Sequence, residues 1–534
     1  MRRRCRRGDA VSRDRGGDTI TPMIEWMSMM RHAHRGWRSP ALLLIAVAGV
    51  ACAPAGPPPA PPPDLLIRNV TIVSPERDEP YGPADVAVTD GRITAIGSEL
   101  ANDRLRQEQV VDGTGQFLTP GLIDSHVHLS TIPGMHGGHE AQYPAVAAQA
   151  RAQLPRSYLY FGFTSVVDLI ATSERVAQWN AQDVRPHAYF AAGAPIADGY
   201  PTQFVPKPDR YRVLSTFLFD PTRADQFPAG LNRDDHTPRA VVARIAADGA
   251  RAVKTFHEDG FGARRDIPVP PREVLEALVA AARERGLPVL LHANSTSAQA
   301  AGVESGVQAL AHGLWTWDAP DAPELTAPVR AVLDGVLAKR IAYQPTIQVL
   351  YGERDLFDPG FLTRADVRAA VPRAVLEWYA SEDGQWLTRE MRDVPAVAQL
   401  DAAGRWRDID AEPIRHVQQA LGYLADRGAR LLFGSDTPSA PTYANPAGLN
   451  GRLEMNHWIG AGVSPAALLR AATVDNAEFF GLADEVGRVA VGTRADLLLM
   501  KSNPYESVEA YDSITLVVLD GRVLPRASLA ADTR

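Results

Sequence analysis

Six side chains carry the chemistry open to this sequence: His126 and His128 in LIDSHVHL, Lys254 in AVKTF, His292 in VLLHAN, His312 in ALAHGLW and Asp436 in LLFGSD. Imidazole nitrogens and carboxylate oxygens are ligands for divalent ions such as zinc. Side chains at i and i+2 of an extended strand share a face, so His126 and His128 stand side by side while Val127 turns into packing. Taken singly, each residue has a structural reading. The two histidines suit a strand surface, Lys254 a strand edge, His292 and His312 a satisfied core, and Asp436 a helix cap. Those readings do not explain why each residue ends an apolar run. A shared metal site does. The only cysteines are Cys5 and Cys52, so this site is built without thiolate.

Groups that must meet need elements that end in one place. The middle of the chain alternates strand-like runs with helical segments, the pattern of successive β/α units. The runs are LIDSHVHL, TSVVDLI, HAYFAAG, ARAVKTF, LPVLLHAN, QALAHGLW, RIAYQPTI and ARLLFGSD. Eight strands are the number a closed barrel requires, with its active site at their C-terminal ends. The expected fold class is therefore α/β, a (β/α)8 TIM-like barrel over residues 121–486. PREVLEALVAAARERG reads as one of its helices, opening at Pro271 and closing on Gly286. A charged, tryptophan-containing insertion at about 351–411 falls between runs seven and eight and is expected to act as a lid. Residues 64–120 and 487–534 are rich in short β signals, with Asp90-Gly91 and Asp520-Gly521 as hairpin turns. Together they are expected to form one small discontinuous β-sandwich domain.

The N-terminal 52 residues read as a signal or leader region. ALLLIAVAGVACA, residues 41–53, follows the basic RHAHRGWR and is too short to span a bilayer, but suits the apolar part of a secretory signal. Cys52 at its end resembles the lipidated cysteine of bacterial lipoproteins. Gly49 departs from that pattern, so simple cleavage near Ala53 is the alternative. Residues 1–29 are out of place before a signal, which makes Met30, or one of Met23, Met27 and Met29, a candidate start. Residues 53–63 form a proline-rich tether. The expected location is exported, periplasmic or outer-membrane bound, with a lipid anchor at Cys52. Without residues 1–51 the chain keeps 45 basic and 59 acidic residues, a formal charge of −14, which argues against a nucleic-acid partner.

On these motifs the chain resembles the amidohydrolase superfamily over nearly all of its length beyond the leader. In that family the first barrel strand carries HxH, the fourth a lysine, the fifth and sixth one histidine each, and the eighth an aspartate. The matching positions are His126 and His128, Lys254, His292, His312 and Asp436. The resemblance implies two divalent ions, usually zinc, bridged by a carbon dioxide-derived carbamate on Lys254. His126, His128 and Asp436 would hold one ion, and His292 and His312 the other. It further implies hydrolysis of an amide, cyclic amide or dipeptide-like C–N bond by a metal-bridging hydroxide, with Asp436 as proton handler. A lactonase or esterase on the same site is the alternative, and a non-catalytic binding lipoprotein is the alternative of another class. The expected partner is a small amide or peptide-like molecule; the oligomeric state is left open. His257, three residues past Lys254, is the candidate substrate contact. His136 and His139 line the pocket or sit in a glycine-rich solvent loop, and Asp168 is expected to support the barrel. Tyr343 and Gln344 face the mouth if the register of run seven is right.

Overall fold

The computed structural model describes residues 63–77, 79–100, 105–261, 265–438 and 441–531. The leader, its Cys52 anchor point, the candidate start Met30 and the tether through residue 62 lie outside the described residues. Among the described residues no helix is long and apolar enough to cross a membrane.

Strands from both parts of the chain that flank the middle share one sheet. The early strands are β1 (Leu65–Ile72), β2 (Tyr81–Thr89), β3 (Arg92–Gly97), β4 (Val110–Asp112) and β5 (Phe117–Pro120). The middle supplies β6 (Leu122–Val127), β7 (Phe163–Asp168), β8 (His187–Gly193), β9 (Ala252–Phe256), β10 (Val289–His292), β11 (Ala309–Ala311) and β12 (Ala342–Gln344). The last three are β13 (Leu497–Met500), β14 (Ile514–Leu519) and β15 (Arg522–Pro525). The first sheet has eight strands in the order β15-β14-β13-β5-β1-β2-β3, with β4 paired to β1. β13 thus joins β5 although some 380 residues separate them, Leu498 opposite Thr119. The two Asp-Gly turns take positive φ at both residues, 50° and 71° at Asp90-Gly91 and 49° and 76° at Asp520-Gly521, the backbone that two-residue hairpins favour.

The second sheet is parallel and runs β12-β11-β10-β9-β8-β7-β6 in simple sequence order. Strands β6, β7, β9 and β10 are buried at every position, as expected where both faces are covered. The eighth run appears as an irregular segment bridging both edges. Leu431 pairs with Tyr343 and Thr437 with Val127, while Leu432 N donates to Tyr343 O at 2.9 Å and Ser125 N to Phe433 O at 3.0 Å. One apolar cluster takes a residue from each run: Ile123, Val167, Ala191, Ala252, Leu290, Ala309, Ala342 and Leu432. Two features break the regularity of the eighth run. A Cβ on Gly434 would lie 2.7 Å from both Gln344 Nε2 and the His126 Cβ, and Asp436 has φ 56°, which no strand residue adopts.

Helix Arg272–Arg283 lies where PREVLEALVAAARERG predicts it, and Gly286 follows at φ 67°. The insertion is helical: Gln348–Arg354, Ala365–Ala370, Arg373–Tyr379, Trp386–Arg392 and Pro395–Ala402. It is pinned to the connection after β6, since Tyr379 Oη donates to Pro133 O at 2.6 Å and Trp386 Nε1 to Gly134 O at 2.9 Å. Phe361, Val367 and Trp378 are buried within it.

Candidate metal centre

Parallel register brings the strand ends level. Lys254 lies opposite Leu290, His292 opposite both Phe256 and Ala311, and Ala311 opposite Gln344. At that level the imidazoles form a chain, with ring centroids 5.5 Å apart for His126 and His128, 5.0 Å for His126 and His312, and 4.4 Å for His292 and His312. Three of the four converge on Asp436. Its Oδ1 is 3.2 Å from His126 Nε2 and 3.0 Å from His128 Nε2, and its Oδ2 is 3.6 Å from His312 Nδ1. One ligand atom each from His126, His312 and Asp436 falls within a 4.8 Å set able to hold an ion. His312 (φ 77°) and Asp436 (φ 56°) both adopt left-handed backbone, a strain that persists where surrounding contacts over-determine it. For Asp436 those contacts include its amide donating to His126 O at 2.7 Å.

Burial sets the charges. It pushes the Asp436 carboxyl up, but His126, the hydrogen bond from His128 and then His312 outweigh it and hold the group well below the usual carboxylate range. Burial drives His126 and His312 well below the usual imidazole range, the direction that favours a ring with a lone pair to give. His292 is lowered for the same reason, against the opposing bond to Glu258. His128 is pushed down by burial, yet its bond to Asp436 and that group's charge raise it overall. The Lys254 amine is 1% exposed, and burial lowers its pKa to about 7. Its Nζ has no hydrogen-bond partner, and an orphaned buried amine of this kind calls for a ligand or a modification.

Further polar groups hold the rings. His126 Nδ1 pairs with Gln344 Oε1 at 2.7 Å, and His312 Nδ1 with Thr346 Oγ1 at 3.0 Å. Glu258 Oε2 lies 3.3 Å from His292 Nε2, and its Oε1 accepts from Gly260 N at 2.8 Å. Asp168 Oδ1 is 3.9 Å from His128 Nδ1, and this carboxylate also accepts from the amides of Leu129 and Ile170. Asp124, inside the first motif, accepts from the amides of His126 and Ser435 and ties the eighth segment to β6. Such partners fix ring orientation and tautomer around metal ligands.

The structure places all six predicted residues at one end of the parallel sheet. Gln344 faces the site and bonds His126, while Tyr343 is buried with its hydroxyl accepting from Leu314 N. His257 is half-buried and its amide donates to His292 O at 2.9 Å. His136 and His139 stack on one another at 3.6 Å and edge against Trp378 and Trp386 of the insertion. Two contributors are not visible in the motifs. One is Glu258, which shares its strand parity with Lys254. The other is Tyr200, from the long connection after β8, whose ring lies 4.5 Å from that of His292. Burial, with the charges of Asp436 and Glu258, raises the Tyr200 phenol, so it stays protonated and able to donate.

The profile of the amidohydrolase family matches residues 117–346 and 360–524. The imidazolonepropionase of Acidiphilium cryptum is 26% identical over 247 residues, covering 43% of this chain and 59% of that protein. That of Stenotrophomonas maltophilia is 29% identical over 239 residues, 40% of this chain and 53% of its own. The chain thus spans somewhat more than half the length of these curated relatives. Among solved structures, a Xaa-Pro dipeptidase with bound methionine superposes with a TM-score of 0.58 at 18% identity, covering 86% of this chain and 99% of that one. The A. niger ochratoxinase gives 0.58 at 20% identity, covering 88% and 98%. At these identities the likeness is one of fold.

Proposed function

Because the chain belongs to the amidohydrolase family, we propose that it is a metal-dependent hydrolase of an amide, cyclic amide or dipeptide-like C–N bond. In this reading His126, His128, Lys254, His292, His312 and Asp436 hold two divalent ions, zinc by preference. The observation that carries it is the convergence of three imidazoles on the Asp436 carboxylate beside the orphaned Lys254 amine. The leader expected over residues 1–52 makes this an exported enzyme.

Bound at this set, two divalent ions supply Lewis acidity at the scissile carbonyl and ready ionisation of water. The residues do the rest. A neutral Lys254 amine has the lone pair needed to take up carbon dioxide, and with loss of a proton the resulting carbamate would add an anionic oxygen ligand to the set. Asp436, ionised and central, accepts a proton from the attacking water and delivers it to the leaving nitrogen. Tyr200 can donate a hydrogen bond to the carbonyl oxygen as charge develops there. Gln344, Glu258 and Asp168 keep the rings aimed.

Elemental analysis of the purified protein, paired with hydrolysis of N-acyl amino acids, Xaa-Pro dipeptides and lactones, tests this reading. Two ions per chain with amide turnover that chelation abolishes is the expected result. Turnover of lactones alone assigns the esterase alternative, and ligand binding with no metal and no turnover assigns a binding protein.

A further inference from the structure

A run of aromatic rings leads from the candidate metal centre to solvent. Tyr200 leans on His292 at 4.5 Å and meets Phe256 at 5.7 Å. Its ring then makes edge-to-face contacts with Phe204, at 5.7 Å and 89°, and with Phe261, at 5.6 Å and 66°. Phe204 is 61% exposed and Phe261 41%, and among the described residues they are the only phenylalanines so open. Leaving two large rings in water forgoes the burial that aromatic side chains normally gain. Both occupy connections at the C-terminal ends of strands, Phe204 after β8 and Phe261 after β9. Just before Phe261, Glu258 and Gly260 line a cavity of about 550 Å³ together with Asn294 and Trp317 among others. Glu258 therefore faces His292 on one side and this cavity on the other.

We propose that Tyr200, Phe204 and Phe261 form a subsite for an aryl group next to the scissile bond, so that the substrate is an amide bearing an aromatic ring. The proposal rests on the hydrolase reading for the word "scissile", but not for the binding itself. Continuity argues for it. One ring, Tyr200, separates the lip from a candidate metal ligand, so a group seated there lies a residue's length from the centre. Both exposed rings edge against the one Tyr200 ring, a compact cluster on the scale of one aromatic group, whereas a membrane-seated surface uses an extended apolar face flanked by basic side chains. Each well-placed aromatic pair is worth about threefold to tenfold in affinity beyond burial.

Calorimetry of the full chain with N-benzoylglycine and N-acetylglycine, chelator-treated and zinc-loaded, is the test, repeated with Phe204→Ala, Phe261→Ala and the double variant. N-benzoylglycine is expected to bind about tenfold tighter than N-acetylglycine in both metal states, and the double variant to shrink that preference to about threefold or less. Phe204→Leu, which keeps apolar bulk without a ring, should recover only part of the loss. Equal affinities in the parent protein overturn the proposal, as does an equal loss for both ligands in the variants. Binding to phosphatidylglycerol vesicles that the double variant loses, with no benzoyl preference, also overturns it and makes the lip a membrane contact. If the preference holds but no amide is hydrolysed, the subsite stands and the hydrolase reading falls. Amide hydrolysis with no preference does the reverse.

Discussion

Among the described residues, two histidine–aspartate clusters stand at opposite ends of the parallel strands, and only one of them looks like a metal centre. The upper is His126, His312 and Asp436; the lower is His187, Asp496 and Asp520. The lower is no looser, with His187 Nε2 3.4 Å from Asp496 Oδ2 and 3.2 Å from Asp520 Oδ1. The difference lies in the positive charge already present. Arg494 Nε is 3.9 Å from Asp520 Oδ1, and the two carboxylates, acting against burial, raise His187 toward its charged form. In the upper cluster burial shifts His126, His312 and the Lys254 amine away from their charged forms. Donor type and spacing are alike in both; what separates them is the guanidinium beside the lower carboxylates and the orphaned amine near the upper one. The lower cluster reads as a clamp, joining the first residue of β8 to the segment before β13 and to the β14–β15 turn.

That contrast can be broken in order of effect. Lys254→Ala should cost the upper site most of its metal and about a thousandfold or more in amide turnover; full metal content by elemental analysis would erase the distinction drawn here. Asp436→Asn should lower kcat/KM by about 10² to 10⁴, as read in a steady-state assay. Glu258→Gln loosens His292 and should weaken metal binding about tenfold to a hundredfold in chelator competition. At the other end, His187→Gln should leave metal content unchanged while lowering unfolding free energy by about 1–3 kcal/mol in urea titration at pH 6.

The clamp also has a pH signature. His187 is raised from an ordinary value of 6.5, so the stabilisation from its charged form is complete below pH 6.5 and is lost as pH rises through the folded-state value. The Tm gap between the parent protein and His187→Gln should therefore be widest below pH 6.5 and narrow above it. A gap that widens with rising pH would show a His187 held neutral.

The six candidate ligands are legible in the sequence because each ends an apolar run, and a parallel sheet puts such ends together. His257 and Glu258 show where that logic can be sharpened. Extended backbone alternates sides, so Lys254, Phe256 and Glu258 share a parity that His257 does not, and Glu258 is the one against His292. Tyr200 and Phe204 leave no comparable trace, since they sit in a long connection without periodicity and meet His292 only through the fold. The clamp is hidden for the same reason, as Asp496 and Asp520 lie more than 300 residues beyond His187. The irregular eighth run follows from the left-handed backbone of Asp436, which no hydrophobic pattern reveals. The insertion is recognisable by its position, but its docking through Tyr379 and Trp386 depends on carbonyls of the β6 connection.

The bonds that join His126 and His128 to the eighth segment bear on the order in which the protein is assembled. His128 and Asp436 are 308 residues apart in the chain, yet their side chains touch at 3.0 Å. Contacts of such long range form late, after the intervening units have paid the entropy of closing so large a loop. The first two ligands therefore leave the ribosome long before the last, and the complete set forms only once Asp436 has joined the β6 end. Any ion held by this set would be taken up only where that long-range pairing is completed.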